Sequence, residues 1–255
     1  EYKNQQIARN SNPNIMKERK KIVLITGAAK RIGREIALRL PVEKYKFIIH
    51  YNKSKKDADN VIKKIKNNGG EAKSIKFDLS KSKSIGKFAK SCEKLYGRID
   101  ILINNASIFK SQSFGNITEK DFDTFLNVNL KSPFLLSQHI SKDMKRRRYG
   151  KIINITDSIG VNKTWKDYSC YCISKGGLET MTKALSLELS PHIQVNSIAP
   201  GAILKPIKSV DRKIYRSTYN STKALDSLVN SVELLISSDF LSGESINIDN
   251  GERLT

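Results

Sequence analysis

Residues 21–33 of this chain read Lys21-Ile-Val-Leu-Ile-Thr-Gly27-Ala-Ala-Lys-Arg-Ile-Gly33. The β-branched run before Gly27 predicts a short buried strand, and helical periodicity follows from Ile32 to Leu40. In such a strand–turn–helix unit, Gly27 allows a tight turn and Gly33 allows close packing of the helix on the strand. The first N–H groups of the helix suit a pyrophosphate. The stretch therefore predicts a dinucleotide site at the start of an α/β fold.

The rest of the chain repeats this alternation of strand and helix. Further strands are predicted at residues 47–51, 72–77, 100–104, 151–156, 193–198 and 245–248, and further helices at 57–68, 82–95, 119–147, 168–189 and 224–237. Alternation at this pitch predicts a single Rossmann-type, doubly wound parallel sheet of about seven strands with helices on both faces. With no internal repeat or linker, residues 21–255 are predicted to form one domain. Residues 1–20 are predicted to be a flexible polar tail.

The composition narrows the classes of protein. The chain has 255 residues, of which 38% are apolar, enough for one substantial core. No apolar run approaches the ~20 residues of a membrane span, and residues 1–20 lack the apolar segment of a signal peptide. Met16 is a candidate natural start. The cysteines Cys92, Cys170 and Cys172 are odd in number and lack metal-like spacing, which predicts free thiols in a reducing cytoplasm and no metal site.

The net charge of +21 raises the question of nucleic-acid binding. The lysines are spread along the chain, and no basic stripe with interleaved aromatic residues stands out. We therefore expect no nucleic-acid partner and attribute the charge to a solvated basic surface. An anionic cofactor or substrate is the milder functional interpretation.

The loop after the second strand points to the type of dinucleotide. NAD sites place Asp or Glu there, about 20 residues after the glycines, to hold the ribose hydroxyls. This chain has His50-Tyr-Asn-Lys-Ser54 instead. A lysine between small polar residues suits a 2′-phosphate, and Lys30 and Arg31 are placed to join it. The sequence predicts NADPH, with an ordinary solvated loop as the alternative.

Two further features fall beyond the carboxyl ends of strands, where parallel sheets bind ligands. The segment Asn104-Asn-Ala-Ser-Ile-Phe109 leaves the fourth strand, and its small residues let the backbone lie against a flat ligand. Phe109 offers a stacking face or is a core residue. Pro200-Gly201 follows the sixth strand and leads into the polar residues 202–221, which have the length and composition of a mobile lid.

Tyr171 and Lys175 stand four residues apart in Tyr168-Ser-Cys-Tyr-Cys-Ile-Ser-Lys175. On a helix this spacing places both side chains on one face. A neighbouring ammonium lowers the pKa of a tyrosine from its ordinary value near ~10, which makes the phenol a usable proton donor near neutral pH. The alternative is a surface tyrosine in a lysine-rich helix.

From residue 21 onward, the chain resembles the short-chain dehydrogenase/reductase family. The shared positions, in the family's order and spacing, are Thr26-Gly27 to Gly33, Asp78, Asn104-Asn105-Ala106, Asn129 in Asn-Val-Asn-Leu, Tyr171-x-x-x-Lys175 and Pro200-Gly201. The resemblance implies that Tyr171 is the proton donor and that Lys175 binds the nicotinamide ribose and lowers the tyrosine pKa. It also implies that Asn129 holds a proton-relay water, that Asp78 lies beside the adenine and that Asn105 lines the ribose.

Within that family, the chain is most similar to the pteridine reductases and the related dihydromonapterin and dihydrofolate reductases. Arg31 replaces the middle glycine of the first motif, His50–Ser54 is similar to the branch's NADPH-binding loop, and the segment ending at Phe109 matches one that contacts the pterin. Asp157 stands where most members have the catalytic serine. Asp157 lies fourteen residues before Tyr171, whereas the serine of most members lies thirteen before it. If the loop contains one inserted residue, Asp157 occupies the site. If the register is shifted instead, Ser158 occupies it.

The resemblance implies a cytoplasmic, NADPH-dependent reductase of a pterin, dihydromonapterin or dihydrofolate type of substrate, with hydride transfer to a ring C=N bond. The implied substrate contacts are Arg31, Ser107, Phe109, Asp157 and Tyr171, and the catalytic set is Asp157, Tyr171, Lys175 and Asn129. The predicted cofactor contacts are Gly27, Lys30, Arg31, Ile32, Gly33, Tyr51, Asn52, Lys53, Ser54, Asp78, Leu79, Asn105, Ala106, Ser107, Tyr171, Lys175, Pro200 and Gly201.

A homotetramer through the helices of residues 119–147 and 168–189 is implied by the resemblance alone. A 3-oxoacyl-type carbonyl reductase using Ser158 is the alternative chemistry. A non-catalytic scaffold that binds a dinucleotide or nucleic acid through its charge is the alternative from another class, and it would show a steep salt dependence of binding.

Overall fold

A computed structural model describes residues 19–204 and 222–254 of the chain. Within them, seven strands form one sheet in the order β3-β2-β1-β4-β5-β6-β7, and every neighbouring pair is parallel. The strands are β1 (Lys21–Ile25), β2 (Tyr45–Tyr51), β3 (Glu71–Lys76), β4 (Ile101–Asn104), β5 (Gly150–Ile155), β6 (Ile193–Pro200) and β7 (Ser245–Ile248). The predicted Rossmann-type parallel sheet is confirmed.

Helices cover both faces of the sheet. They are α1 (Arg31–Arg39), α2 (Lys55–Asn67), α3 (Ile85–Tyr96), α4 (Glu119–Leu126), α5 (Ser132–Arg147), α6 (Ser158–Asn162), α7 (Ser169–Leu189) and α8 (Thr222–Ser237). Alternate side chains of β1 enter opposite cores, because successive residues of a strand point to opposite faces. Val23 and Ile25 pack with α1, α2 and α8, whereas Ile22 and Leu24 pack with α3 and α5.

The prediction of one continuous helix over residues 119–147 is wrong in one respect. It is divided into α4, a π-helical turn at Asn127–Lys131, and α5. Pro133 stands in the first turn of α5 and has no amide hydrogen for an uninterrupted α-helical ladder, so the backbone widens just before it. This turn buries the side chain of Asn129.

Other boundaries differ by a few residues. The predicted helix 82–95 begins at Ile85, after a 3₁₀ turn at Ser82–Ser84, and β6 continues through Pro200. The short helix α6 was not predicted, because five residues are too few for a periodic pattern. Of the predicted lid, residues 205–221 lie outside the described residues, as do residues 1–18 of the predicted tail.

The described residues contain neither a candidate membrane span nor a candidate metal cluster. None of the helices placed within residues 19–204 and 222–254 combines the length and the hydropathy that crossing a bilayer requires. Across the same ranges, no cluster of His, Cys, Asp and Glu side chains has the proximity to hold a metal ion.

Candidate active site

A cavity of about 720 Å³ opens at the carboxyl ends of the strands. It lies where the strand order reverses between β1 and β4, which is the usual ligand site of an open parallel sheet. The predicted residues that line it are Gly27, Lys30, Arg31, Ile32, Asn52, Lys53, Asp78, Leu79, Asn105, Ala106, Ser107, Phe109, Asp157, Tyr171, Lys175, Pro200 and Gly201. Four predicted residues, Gly33, Tyr51, Ser54 and Asn129, are not part of this lining.

The turn after β1 is held against the end of β4. The Thr26 hydroxyl oxygen accepts hydrogen bonds from the amides of Asn105 (2.9 Å) and Ala106 (3.0 Å), and Asn105 Nδ2 donates to the Thr26 carbonyl at 2.8 Å. Gly27 has φ +64°, and a Cβ there would lie 2.9 Å from Ala106 Cα. Gly33 packs behind the turn, where a Cβ would meet Asn105 Nδ2 at 2.5 Å. Both glycines therefore allow close approach of backbone, and Gly33 does so from outside the cavity.

Arg31 adopts a left-handed backbone conformation, with φ +53°. For a residue other than glycine, this conformation costs on the order of 1–2 kcal/mol. The position is the one where the dinucleotide motif usually has its middle glycine, which explains how the arginine fits without changing the path of the turn. Its guanidinium lines the cavity and donates from Nη2 to the Leu204 carbonyl at 3.5 Å.

His50 supports the Gly27 turn from below, a role that the sequence did not reveal. Its Nδ1 accepts from the Gly27 amide at 3.0 Å, and its Nε2 lies 3.1 Å from the Phe77 carbonyl. Since a carbonyl only accepts, Nε2 carries the proton and the ring is neutral. Burial lowers the pKa of His50 to about 4, against the Phe77 hydrogen bond and Asp78, which both favour the charged form. The available signal was the position of His50 just before the end of β2.

This histidine predicts a loss of stability in mild acid. Its folded-state pKa lies below the unfolded value of 6.5, so the unfolded chain binds the extra proton and stability falls as the pH drops from 6.5 toward 4. The expected loss is about 2 kcal/mol between pH 7 and pH 5. Urea unfolding at the two pH values measures it. His50→Asn should remove most of the pH dependence of the free energy of unfolding, and the control His192→Asn, which lies outside the cavity, should retain it. The same pH dependence in all three proteins would contradict this role of His50.

The end of the cavity next to the carboxyl end of β2 contains the residues predicted to bind the 2′-phosphate of the nucleotide. Asn52 and Lys53 line it, and Lys30 forms an ion pair with Asp57 at 3.2 Å. Two other residues predicted to contact the cofactor lie outside the cavity lining. Tyr51 is buried in the core, and Ser54 immediately precedes α2 outside the lining.

Asp78 also lines this end, where it shapes the turn after β3. Partial burial works to raise its pKa, but hydrogen bonds from the Ser80 hydroxyl and amide, aided by Lys81 and Lys53, outweigh burial and lower the pKa. Asp78 is therefore held as a carboxylate.

At the opposite end of the cavity, Tyr171 and Asp157 form a close pair. The Tyr171 hydroxyl donates to Asp157 Oδ2 at 2.6 Å. Asp157 Oδ1 accepts from the amides of Ile159 (3.0 Å) and Gly160 (2.6 Å), so the aspartate is also the N-cap of α6. Burial raises the pKa of Asp157, opposed first by the Tyr171 hydrogen bond. The carboxyl group is thus fixed at one oxygen and linked to the phenol at the other.

Ser158, the next residue after Asp157, is buried in the protein. It is the first residue of α6, it is fully buried, and its hydroxyl lacks a hydrogen-bond partner among the residues that the structure describes. It does not line the cavity, whereas Asp157 does. Of the two residues left open by the spacing, the structure brings Asp157 to Tyr171.

Lys175 lies one turn along α7 from Tyr171 and is buried beneath it. Its Nζ donates to the Ile155 carbonyl at 2.7 Å and lies 5.8 Å from the centre of the Tyr171 ring. Burial lowers the pKa of Lys175 to about 8, although Asp157 favours the charged form. Lys175 therefore loses its proton more readily than an exposed lysine does.

Asn129 lies outside the cavity lining and supports the wall of the cavity through hydrogen bonds. Its Oδ1 accepts from the Ile108 amide at 2.8 Å, and its Nδ2 donates to the Ile108 carbonyl (3.1 Å) and to Ser174 Oγ (2.9 Å). These bonds tie the loop that carries Phe109 to α7. The water-holding role implied for Asn129 stays a prediction.

Phe109 belongs both to the cavity wall and to an aromatic cluster. It stacks on Tyr168 at 4.8 Å between ring centres and meets Tyr171 edge to face at 4.7 Å. Trp165 completes the cluster, 6.3 Å from Tyr171 with nearly parallel rings. Tyr168 and Trp165 were missed by the sequence analysis because nothing in their spacing separates them from loop residues.

The chain is similar to known proteins in sequence and in fold. A family model described as short chain dehydrogenase matches residues 21–215. A 3-oxoacyl-[acyl-carrier-protein] reductase from Staphylococcus epidermidis is 30% identical over 240 residues, 91% of this chain and 98% of that protein. The structure of alternative dihydrofolate reductase 1 from Brucella canis, complexed with NADP, is 28% identical with a TM-score of 0.81, over 92% of this chain and 94% of that one. Acetoin dehydrogenase from Salmonella typhimurium is 26% identical with a TM-score of 0.82, over 93% and 97%.

Proposed function

The chain belongs to the short-chain dehydrogenase family, and from that membership we propose that it is an NADPH-dependent reductase of a pterin or dihydropterin. The observation that carries the proposal is the 2.6 Å hydrogen bond from the Tyr171 hydroxyl to Asp157, with Ser158 buried away from the cavity. The Brucella canis relative, named a dihydrofolate reductase, supports the same substrate class.

The residues of the cavity fit a dinucleotide with a 2′-phosphate. Gly27 and Gly33 leave the space that a backbone cradle needs, and the first turn of α1 faces the cavity through Arg31 and Ile32. No carboxylate ends β2, and Lys53 lines the cavity there. NADPH, when bound, supplies the hydride. The chain would hold the cofactor with Lys53 at the 2′-phosphate and Lys175 at the nicotinamide ribose.

The role of Lys53 can be tested by the choice of cofactor. Lys53→Asp exchanges an attraction for a repulsion at the 2′-phosphate, so the preference for NADPH over NADH in kcat/KM should fall by at least about tenfold, equivalent to ~1.4 kcal/mol. Lys63→Asp makes the same charge change on the exposed face of α2 and should leave the preference unaltered. Equal kcat/KM for both cofactors in the unmutated protein would contradict the assignment.

The pair of Asp157 and Tyr171 suits reduction of a ring C=N bond. When hydride reaches the ring carbon, the ring nitrogen gains electron density and must accept a proton, which in this proposal comes from the Tyr171 hydroxyl. Asp157 orients that hydroxyl and, as a buried acceptor, favours a protonated ring beside it. A ketone oxygen would instead become alkoxide-like, and a carboxylate at 2.6 Å from the proton donor would repel it. The exposed Ser107 and the guanidinium of Arg31 lie at the polar edge of the cavity, and Phe109 offers the flat wall.

One observation favours a second candidate, a 3-oxoacyl-type carbonyl reductase. The Staphylococcus epidermidis relative carries that name at 30% identity across nearly its whole length. For this activity Ser158 would have to reach the substrate, from a position where its side chain is fully buried. Screening NADPH oxidation against dihydropterins, dihydrofolate, quinones and acetoacetyl thioesters separates the candidates. We expect turnover of the dihydropterins or dihydrofolate; turnover of the thioester alone would establish the second candidate.

The homotetramer and the cytoplasmic location are also proposals. Exposed apolar side chains on α5 and α7 support the tetramer, namely Phe134, Ile173 and Leu187, which is 82% exposed. In the proposed tetramer these side chains would be covered by another subunit, since a large contiguous apolar patch marks an interaction site. Light scattering of the purified protein tests the assembly.

A further inference from the structure

We propose that Trp165 is a positioning residue for the Asp157–Tyr171 pair. Its indole packs over Gly160 and beside the Tyr171 ring, where it holds the phenol next to the carboxyl group and keeps water from one side of that group. The inference rests on the proposed function for the meaning of that hydrogen bond in catalysis, but the contact itself can be tested without a substrate.

The Trp165 ring contacts the other three rings of the aromatic cluster. It is the single tryptophan of the chain. Its ring lies 6.3 Å from Tyr171 at 24°, 5.8 Å from Tyr168 at 68° and 6.1 Å from Phe109 at 81°, measured between ring centres and planes. Trp165 thus packs against the proposed proton donor and against the rings on either side of it. Offset and edge-to-face packing of this kind favours one orientation of each ring.

Gly160 shows how close the three groups come. A Cβ built on Gly160 would lie 3.0 Å from Trp165 Cζ3, 3.2 Å from Asp157 Oδ1 and 3.2 Å from Tyr171 Cε1. The indole, the carboxyl group and the phenol ring therefore surround the space beside the Gly160 Cα, which is too small for a side chain. The indole and Gly160 together cover one side of the Asp157 carboxyl group, at the Oδ1 atom that also accepts from the α6 amides.

The loop that carries Trp165 is held in an unfavourable backbone conformation. Thr164 has φ +56° and Asp167 has φ +66°, and each left-handed residue costs on the order of 1–2 kcal/mol. The Asp167 carbonyl accepts from the Gln112 amide at 2.6 Å, which fastens the loop to the segment beyond Phe109. Strain of this kind persists where the surroundings fix it and is concentrated at functional sites. Here it accompanies the placement of one large ring over the catalytic pair.

The groups around Asp157 define what the cover does. From α7 it faces Tyr171 and Lys175, with Cys172 near enough to feel its charge, and from α6 it faces two backbone amides. All of the hydrogen bonds and Lys175 favour the carboxylate, and burial alone opposes them. Removing the indole should admit water on the covered side, and so move the titration of Asp157 to lower pH.

The direct test is the titration of the Asp157 carboxyl carbon by NMR in protein labelled with 13C-aspartate, its signal assigned by its absence in Asp157→Asn. We expect Trp165→Ala to lower the titration midpoint by about one pH unit or more, because water replaces an apolar cover. Trp165→Phe should stay close to the unmutated protein, and Phe240→Ala, at a fully exposed aromatic residue, is the control. If Trp165→Ala folds poorly, Gly160→Ala provides a second test. It inserts a methyl group among Trp165, Asp157 and Tyr171 and should shift the same titration midpoint.

Turnover supplies the second readout. Trp165→Ala should lose about tenfold or more in kcat while NADPH affinity is retained, and Trp165→Phe should recover most of the loss, since general acid catalysis is worth ~10²–10⁴-fold. An unchanged midpoint, or full kcat with only a lower melting temperature, would overturn the proposal. Failure of the proposed function would appear differently, as no dihydropterin turnover in the unmutated protein while the NMR midpoint still responds to Trp165→Ala.

Discussion

Replacing Tyr171 by phenylalanine should lower kcat for dihydropterin reduction by about 10²–10⁴-fold, the range that a positioned general acid supplies. The substitution deletes one hydroxyl, which donates the 2.6 Å hydrogen bond to Asp157. The ring and its packing against Phe109 and Trp165 are retained, so NADPH affinity should be nearly unchanged. Single-turnover kinetics with saturating NADPH, together with fluorescence titration of the cofactor, separate the two quantities.

Tyr168→Phe is the matched control for this experiment. It removes a hydroxyl from a buried tyrosine on which Phe109 stacks, three residues before Tyr171. Its effect on kcat should be far smaller. Should Tyr171→Phe keep more than about a tenth of the activity, where ~10²–10⁴-fold is expected, Tyr171 would not be the acid.

Asp157→Asn and Ser158→Ala should differ sharply in dihydropterin reduction. The asparagine keeps the size of the side chain and an acceptor for the α6 amides, but it removes the negative charge beside Tyr171. Because that charge orients the phenol and favours a protonated ring, we expect kcat to fall by about 10²-fold or more. Ser158→Ala removes a buried hydroxyl for which no hydrogen bond is recorded in the described part of the chain, so kcat should change little and stability should not fall.

The order of these two effects separates the candidate reactions. A larger loss in Ser158→Ala than in Asp157→Asn, joined to turnover of acetoacetyl thioesters, would move the protein to the carbonyl reductases. Melting temperatures of both variants serve as the control for folding. Activity lost together with a large fall in melting temperature would identify the N-cap of α6, and not proton transfer, as the role of Asp157.

The sheet could be predicted from sequence because its signals are local. The run before Gly27 is apolar on both faces, as a central parallel strand must be, and the structure buries Val23 and Leu24 in opposite cores. The interruption at Asn127–Lys131 depends on how one proline, Pro133, alters a backbone ladder, and periodicity does not register such a change. The apolar pattern continues across it.

The candidate site was predictable only in part, for a different reason. Tyr171 and Lys175 share a helix face, so four residues of spacing suffice to join them. The spacing before Tyr171 left both Asp157 and Ser158 open, because the turn at the start of α6 determines which side chain faces the cavity. His50 and Trp165 act through contacts with residues distant in the sequence or through a loop with two left-handed residues. Single-sequence patterns hold little information on either.

The most direct test of the account is to follow where the hydride goes. A reaction mixture would contain NADPH carrying deuterium at the transferable position, with a dihydropterin and an acetoacetyl thioester present together at equal concentration. The account predicts that NMR and mass spectrometry will find the deuterium on a pterin ring carbon, and that Asp157→Asn will suppress this transfer. Deuterium in the reduced thioester, with none in the pterin, would contradict it.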